Sequence, residues 1–298
     1  MKRKGKESGG ESHESHSSIL KSLPSIRAVI AHYGLTSYKA LGQHFLLDLN
    51  MTHRIVRAAG DLRTGTVIEI GAGPGNLTRA LLSGGAQQVV AIEYDNRCLS
   101  ALCDLTRVWP GQLKIILADA MTLNISTIGE YPRHIIANLP YHIAISLLLK
   151  FLKNIDAIFS MTLMFQKEVA DRLSAVPKEK HYGRLSVITQ WLCAVQPLFN
   201  VPPQVFKPQP NVVSTVVHLK PRPEPLAPAA WPALEAVTAA AFGQRRKMLR
   251  QSLKSLGQVE TVCAAAGLSP TARAEEIDVA GFCALARALL DERTHIFS

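Results

Sequence analysis

Short apolar runs alternate with amphipathic segments along the middle of this chain, and this alternation constrains the fold more than any other feature of the sequence. Strands are predicted over 66–70, 88–92, 114–117, 134–137 and 157–165, with helices over 76–82, 98–108, 144–152 and 167–174. An apolar run over 212–219 is expected to add a late strand. This spacing is typical of a doubly wound, mainly parallel α/β sheet.

The composition changes on both sides of this region. Residues 1–20 are mostly Ser, Gly, Glu, His and Lys and offer little apolar surface to bury, so we expect a disordered tail. Five prolines in 221–232 indicate a linker, and only helical patterns follow it, including one over 245–255. The expected organisation is an α/β domain over 21–221 and a small all-α domain over 222–298.

The charge of the chain is concentrated in one stretch. The formal net charge is +10 although only 19% of the residues are charged, which suggests a polyanionic partner. Residues 198–254 contain eight Lys or Arg against two Glu and carry +6 of this excess. Four of these cations recur at helical spacing: Arg245, Arg246, Lys247 and Arg250. A solvated helix face is the alternative, but the clustering favours contact with nucleic-acid phosphates.

The cysteines and the apolar segments indicate a cytoplasmic protein without a membrane anchor. The five cysteines form no C-x-x-C pair and have no zinc-ligand spacing, so no metal site is predicted. Reduced thiols in a cytosolic protein are the simplest interpretation. The most apolar stretch, 143–152, is short and is interrupted by Lys150, and the N-terminus lacks the apolar core of a secretory signal.

A glycine-rich turn follows the first predicted strand and opens a helix, in the order Glu69-Ile70-Gly71-Ala72-Gly73-Pro74-Gly75-Asn76. Gly71 and Gly73 let the backbone turn sharply and approach a ligand closely. Glu93 ends the next strand, and its carboxylate can accept hydrogen bonds from both hydroxyls of a ribose. Asp119 follows the third strand, where it can accept a hydrogen bond from an adenine amino group or simply cap a helix. Together these residues predict a site for a nucleoside cofactor.

The turn alone does not identify that cofactor, because a dinucleotide enzyme has a similar one. Asn76 stands where the dinucleotide motif has its third glycine, and Pro74 removes a backbone donor from a pyrophosphate cradle. S-adenosylmethionine has no phosphate, so the turn favours this ligand. A tight turn that binds nothing is the remaining alternative, and the three glycines with a correctly spaced acid disfavour it.

The motif Asn138-Leu139-Pro140-Tyr141 directly follows the fourth predicted strand and is the most specific signal in the chain. The amino nitrogen of adenine is a poor nucleophile, because its lone pair is delocalised into the ring. The Asn138 side-chain oxygen and the Leu139 carbonyl can hold the amino hydrogens and concentrate that lone pair on nitrogen. Pro140 stiffens the turn, and Tyr141 can stack on an extruded base. An ordinary strand-ending turn is the alternative for this motif taken alone.

These motifs resemble those of the bacterial small-subunit ribosomal RNA adenine N6-dimethyltransferase family over about residues 25–292. Besides the segments above, the matching segments are LGQHFL from Leu41 with Asp48, Gln166-Lys167-Glu168, YGRLS over 182–186, VFKPQP over 205–210 and FGQRRKMLR over 242–250. The resemblance implies a Rossmann-like class I methyltransferase fold that uses S-adenosylmethionine. It also implies dimethylation of two adjacent adenosines near the 3′ end of small-subunit rRNA. The partner would be the 30S pre-ribosomal particle, bound by a monomer.

The resemblance also assigns site residues. Cofactor contacts map to His44, Leu46, Gly71, Gly73, Glu93, Asp119 and Asn138, and the target base would lie at Asn138, Leu139, Pro140 and Tyr141. Phe206 would form a second aromatic wall for that base, with a buried Phe under a loop as the alternative. Asn is frequent in the family where this chain has His44, and contacts through the backbone of that loop can survive the change. The basic residues Arg245, Arg246, Lys247 and Arg250 would contact rRNA phosphates.

Two other functions compete with this interpretation. The large-subunit rRNA methylases that confer antibiotic resistance share the glycine turn and the N-L-P-Y motif, but the QKE, YGRLS and FGQRRKMLR segments favour the small-subunit enzyme. A binding protein that monitors subunit assembly or serves transcription is the second alternative. The intact motif from Asn138 to Tyr141 argues that catalysis is retained.

Overall fold

The computed structural model describes residue 20 and residues 22–37 and 42–296, without the side chains of 293–296. The predicted disordered tail over 1–20 lies outside these residues except for residue 20, and Leu41 of the LGQHFL segment also lies outside them.

A seven-stranded sheet with the order β4-β3-β2-β5-β6-β9-β7 forms the centre of the α/β fold, and β1 pairs with β8 in a separate two-stranded sheet. The strands are β1 (Phe45–Leu46), β2 (Thr66–Ile70), β3 (Gln88–Glu93), β4 (Leu113–Leu117), β5 (Arg133–Asn138), β6 (Ser160–Gln166), β7 (Cys193–Val201), β8 (Phe206–Lys207) and β9 (Ser214–Pro221). Strands β4, β3, β2, β5 and β6 pair in parallel, which confirms the predicted fold class. All five residues of β2 are buried, as expected for a central parallel strand.

The helices of the described residues alternate with these strands and then follow them. They are α1 (Ile26–His32), α2 (Leu49–Ala59), α3 (Asn76–Ser83), α4 (Leu99–Val108), α5 (Tyr141–Leu152), α6 (Lys167–Ser174), α7 (Arg184–Leu192), α8 (Trp231–Gly243), α9 (Leu249–Ser252), α10 (Val259–Ala265) and α11 (Val279–Ile296). Asp48 caps α2 by accepting a hydrogen bond from the Met51 amide, as its position in the sequence indicates.

Two local predictions were wrong, and one strand was not predicted. The loop predicted around 41–48 contains β1, and β7 lies in a segment for which no strand was predicted. The helix predicted over 245–255 is broken: residues 244–247 form a turn, and only Leu249–Ser252 is α-helical before a short 3₁₀ turn. The basic residues of this stretch therefore lie largely on a turn and not along one helix face.

The chain forms two compact units that are interleaved along the sequence. Among the described residues, one comprises those up to 166 together with 198–218, and the other comprises 167–197 and those from 219 onward. The second unit thus takes in α6 and α7, which precede the boundary that the sequence places at 222. Within it, the buried Tyr182 donates its hydroxyl to the Ile277 carbonyl at 2.8 Å. This contact joins a residue before the proline-rich linker to the C-terminal helices.

Candidate active site

A pocket of about 320 Å³ lies in the first unit, at the carboxyl ends of the parallel strands. The order of the strands reverses between β2 and β5, and ligands of open α/β sheets bind at such a switch point. Its lining includes Gly71 and Gly73 after β2, Glu93 at the end of β3, Asp119 after β4, Asn138 to Tyr141 after β5, and His44 and Leu46 from the N-terminal loop. The pocket therefore brings together every predicted cofactor residue and the whole N-L-P-Y motif.

The glycine turn is held in place by Glu93. The buried carboxylate accepts backbone hydrogen bonds from Gly73 at 2.6 Å, Asp95 at 2.8 Å and Tyr94 at 2.9 Å. Burial raises the pKa of Glu93, and these three backbone donors oppose that rise. Gly75 then begins α3 at φ +88°, where a Cβ would lie 2.6 Å from a Leu105 methyl carbon. Because each carboxylate oxygen has more than one acceptor position, Glu93 can hold the turn and still receive ribose hydroxyls.

Glu69 is a fully buried carboxylate that lines the same pocket. Its Oε2 accepts a 2.6 Å hydrogen bond from the Thr78 hydroxyl, whereas Oε1 has no hydrogen-bond partner among the described residues. Burial raises the pKa of Glu69 to about 8, and the neighbouring Glu93 charge adds to the rise. This pKa keeps Glu69 mostly protonated at neutral pH in the absence of a cation, and a cationic donor that reached Oε1 would favour the ionised carboxylate.

The charges around the pocket exclude one class of ligand and favour another. Glu69, Glu93 and Asp119 line it, and no Lys or Arg is among the described lining residues. A pyrophosphate would meet carboxylates without a compensating cation, which disfavours a dinucleotide. The ammonium group, the ribose and the adenine of a cationic nucleoside ligand offer one hydrogen-bond donor group to each of these three carboxylates. The residues present therefore fit S-adenosylmethionine.

Lys150 is a residue of this site that the sequence did not reveal. Its Nζ donates to the carbonyls of Ala120 at 2.8 Å and Met121 at 2.6 Å, and both of these residues line the pocket next to Asp119. Asp119 Oδ1 accepts the Met121 amide at 2.8 Å, so this loop is held from both sides. Burial lowers the pKa of Lys150, and the charge of Asp119 opposes that change. A single lysine within an otherwise apolar helix was the available signal.

The N-terminal loop forms another wall. Asn76, where the dinucleotide motif has glycine, donates its side-chain amide to the Leu46 carbonyl at 2.9 Å and so ties the glycine turn to this loop. The His44 Nδ1 lies 2.7 Å from the carbonyl of Pro208. Because a carbonyl only accepts, Nδ1 carries the proton, and Nε2 is the nitrogen without one in the neutral ring.

The motif from Asn138 to Tyr141 is positioned by its neighbours. The Asn138 side-chain amide donates to the His44 carbonyl at 3.0 Å. With Nδ2 committed to this bond, Oδ1 is the group that Asn138 can present to a ligand. The Tyr141 hydroxyl lies 2.7 Å from the Ser214 hydroxyl, and its ring centroid lies 5.5 Å from that of His44. This arrangement pairs a hydrogen-bond acceptor with an aromatic surface.

Phe206, which the resemblance implies as a second aromatic wall, is buried in this structure. It is 4% exposed, packs in the hydrophobic core of the first unit, and is not among the described lining residues. Its backbone explains this position, because β8 pairs with β1 so that Phe206 lies opposite Leu46, another core residue. The ring that stands beside Tyr141 at the pocket is that of His44.

The predicted phosphate-binding cations of the second unit fall into two groups. Arg246, Lys247 and Arg250 are exposed. Arg245 is only partly exposed, and its guanidinium donates to the Glu275 carboxylate at 3.0 Å, to the Glu179 carbonyl at 2.8 Å and to the Lys180 carbonyl. Arg245 therefore joins its own turn to two other segments of the second unit, and its charge is paired with that of Glu275.

Two further results concern the part of the chain that the structure describes. No group of three or more His, Cys, Asp or Glu side chains there is arranged to hold a metal ion. None of the described helices combines the length and the apolar character needed to cross a membrane.

Known proteins identify the family to which the chain belongs. Residues 35–291 match the family described as "Ribosomal RNA adenine dimethylase". The "Ribosomal RNA small subunit methyltransferase A" of Paramagnetospirillum magneticum is 62% identical over 272 residues, which covers 91% of this chain and 96% of that protein.

Two solved structures have a similar fold. A dimethyladenosine transferase from Plasmodium falciparum superposes with a TM-score of 0.71 at 25% identity, covering 85% of this chain and 98% of that one. The 23S rRNA methyltransferase ErmE gives a TM-score of 0.62 at 26% identity, covering 82% of this chain and 99% of that one. The chain therefore belongs to the ribosomal RNA adenine dimethylase family and is an rRNA adenine methyltransferase.

Proposed function

We propose that this protein uses S-adenosylmethionine to dimethylate the N6 amino groups of two adjacent adenosines near the 3′ end of small-subunit rRNA. It would act as a cytoplasmic monomer on the 30S pre-ribosomal particle. The observation that carries the proposal is the orientation of Asn138, whose Nδ2 is bonded to the His44 carbonyl so that Oδ1 serves as an acceptor at an anionic pocket.

The residues that would hold the cofactor can be assigned by their chemistry. Glu93 would receive the ribose hydroxyls, Asp119 the adenine amino group, and Glu69 the ammonium group through its unpartnered Oε1. Gly71 and Gly73 let the backbone lie close to the bound molecule. When bound, S-adenosylmethionine supplies a methyl group made electrophilic by its sulfonium.

The N-L-P-Y turn would prepare the target amine. Asn138 Oδ1 and the Leu139 carbonyl accept its two hydrogens, which favours a pyramidal nitrogen with a localised lone pair. Tyr141 offers the base a stacking surface and is itself held by Ser214. The remaining contribution is orientation, because the nitrogen must lie in line with the methyl group. The proton that the methylated nitrogen loses can pass to water.

The small-subunit substrate is favoured over the large-subunit one by the relatives. The protein from P. magneticum, whose name specifies the small subunit, shares 62% identity, whereas the 23S rRNA methyltransferase ErmE shares 26%. The exposed cations Arg246, Lys247 and Arg250 support binding to an RNA backbone.

The test is to incubate the purified protein and labelled cofactor with small subunits that lack the modification, and separately with large subunits. Mass spectrometry of the rRNA should find two adjacent dimethyladenosines in the 3′ region of the small-subunit RNA. Methylation confined to the large-subunit RNA, or of a base other than adenine, would refute the proposal.

A further inference from the structure

A short lysine-bearing loop over 176–181 is fixed against the basic turn of the second unit by Arg245. The Arg245 guanidinium reaches the carbonyls of both Glu179 and Lys180, and its third contact is the Glu275 carboxylate. Three segments that are distant in sequence therefore meet at one side chain.

The backbone of the loop is ordered by further hydrogen bonds. Lys178 donates its amide to the Glu275 carbonyl at 2.7 Å, and the Glu179 carboxylate accepts the Val176 amide at 3.0 Å. Lys178 is the one non-glycine residue in the described part of the chain whose backbone lies in the left-handed region, at φ +75°. A long side chain in this conformation is unfavourable, and a glycine would adopt it at no steric cost.

Positive charges outnumber negative ones on this surface. The Glu275 carboxylate is paired with Arg245, and the Glu179 carboxylate accepts the Val176 amide but keeps its charge. Lys178 and Lys180 are exposed, as are Arg246 and Lys247 on the turn that follows the other side of Arg245. The ammonium group of lysine is a compact charge without the planar pair of donors that arginine has. It therefore suits contacts with backbone phosphates more than recognition of one particular base.

We propose that Lys178 and Lys180 form, together with Arg246 and Lys247, one composite site for RNA backbone phosphates, with Arg245 as the residue that positions its two halves. The proposal rests on the proposed function, because it takes rRNA as the partner. It explains why a lysine occupies a backbone conformation suited to glycine: the charge is needed at this place.

The experiment measures binding of the full-length protein to unmodified small subunits over a range of salt concentrations. Each phosphate contact contributes about 0.7 to 0.9 to the slope of log K against log salt, so the double variant Lys178→Ala/Lys180→Ala should flatten the slope by about 1.5. The charge-conserving Lys178→Arg/Lys180→Arg should keep the slope of the wild type. Lys114→Ala/Lys153→Ala removes two exposed lysines of the first unit and is the matched control.

Lys178→Gly separates binding from folding. It relieves the positive φ, so we expect an unchanged or higher Tm together with weaker, less salt-dependent RNA binding. Unchanged binding in both Lys178→Gly and the double alanine variant, with a flattened slope in Arg246→Ala/Lys247→Ala, would overturn this inference and leave the proposed function standing. Loss of methylation by Asn138→Ala reports on the proposed function independently of any of these slopes.

Discussion

The side-chain amide of Asn138 donates a 3.0 Å hydrogen bond to the backbone carbonyl of His44, a residue 94 positions earlier in the chain. The bond decides which end of the amide faces a ligand, because the nitrogen is committed and the oxygen is left as the acceptor. It also ties the motif after β5 to the N-terminal loop that forms another wall of the pocket. Selection of the target amine thus depends on two segments at once.

Asn138→Ala removes the acceptor, and we expect the rate of methyl transfer to fall about 100-fold or more, the scale seen when one preorganised polar group is lost from an active site. Binding of small subunits should change little. Single-turnover transfer from labelled cofactor measures the effect. Asn124→Ala, the same substitution at an exposed loop position, is the control, and transfer at the wild-type rate in Asn138→Ala would contradict the assigned role.

His44→Asn leaves the backbone carbonyl that orients Asn138 in place, so we expect transfer within about 10-fold of the wild-type rate. The variant loses the ring beside Tyr141, whose aromatic contact is of the order of 1 kcal/mol, so KM for the small subunit should rise more than KM for the cofactor. Steady-state kinetics with each substrate varied in turn separates the two. A fall in the rate of methyl transfer as large as that expected for Asn138→Ala would show that the imidazole itself is essential.

The variant Glu69→Gln tests whether the buried Glu69 is protonated, through the pH dependence of protein stability. Burial raises its pKa from 4.5 to about 8, so between these values the folded protein keeps a proton that the unfolded chain has lost. Its contribution to stability is therefore fully present below about pH 4.5 and is lost as the pH rises through about 8, by up to about 1.4 kcal/mol per pH unit. Glutamine does not titrate, so the variant does not lose this stability as the pH rises.

Thermal unfolding of the ligand-free protein from about pH 5 to pH 9 measures this difference. The Tm of Glu69→Gln should exceed that of the wild type increasingly toward pH 8, while its affinity for S-adenosylhomocysteine falls. Glu130→Gln, at an exposed carboxylate, should follow the wild type. Parallel curves for Glu69→Gln and the wild type would mean that Glu69 is ionised throughout.

Lys150→Met removes the two hydrogen bonds that hold the carbonyls of Ala120 and Met121. Hydrogen bonds from a charged group contribute about 1.5 to 3 kcal/mol, so affinity for the cofactor should fall roughly 10-fold or more as the Asp119 loop loosens. Calorimetric titration with S-adenosylhomocysteine measures it. A cofactor analogue without the adenine amino group should be affected less, and Lys153→Met, one turn on, should bind like the wild type.

Arg245→Met should lower stability and not act as the loss of a simple phosphate contact. Its three hydrogen bonds join the loop over 176–181, the basic turn and Glu275, so we expect a loss of about 1 to 3 kcal/mol and faster tryptic cleavage after Lys180. Arg246→Met, at an exposed neighbour, should leave Tm unchanged and flatten the salt dependence of RNA binding. The opposite pattern would show that Arg245 is the phosphate contact.

The parts of the site that could be predicted from the sequence are those in which one short segment carries the whole signal. The turn from Glu69 to Gly75 and the motif from Asn138 to Tyr141 each follow an apolar strand, and parallel strands bring their carboxyl ends to one edge. Lys150 and Arg245 could not be predicted in this way. Their partners are backbone carbonyls 29 to 66 residues away, and a carbonyl has no sequence signature.

Strand β7 could not be predicted from the sequence for a different reason. Its burial does not alternate, and Pro197 lies inside it, which argues against a strand in a sequence reading. The strand order explains why this proline is tolerated: β7 is the last strand of its sheet, and an edge strand can lack one amide donor. The burial of Phe206 has a related origin, because the pairing of β8 with β1 joins segments about 160 residues apart and has no local signal in the sequence.

The interleaving of the two units limits how this protein can be taken apart or recombined. Arg184 in α7 pairs with Glu235 in α8, and the rings of Trp191 and Trp231 lie 5.9 Å apart, so helices on either side of the proline-rich segment support one another. A fragment ending at residue 221 would carry two orphaned helices with their apolar sides in water. Moving the second unit onto another methylase thus requires three chain junctions, at 166/167, 197/198 and 218/219, and a single splice would not transfer a foldable module.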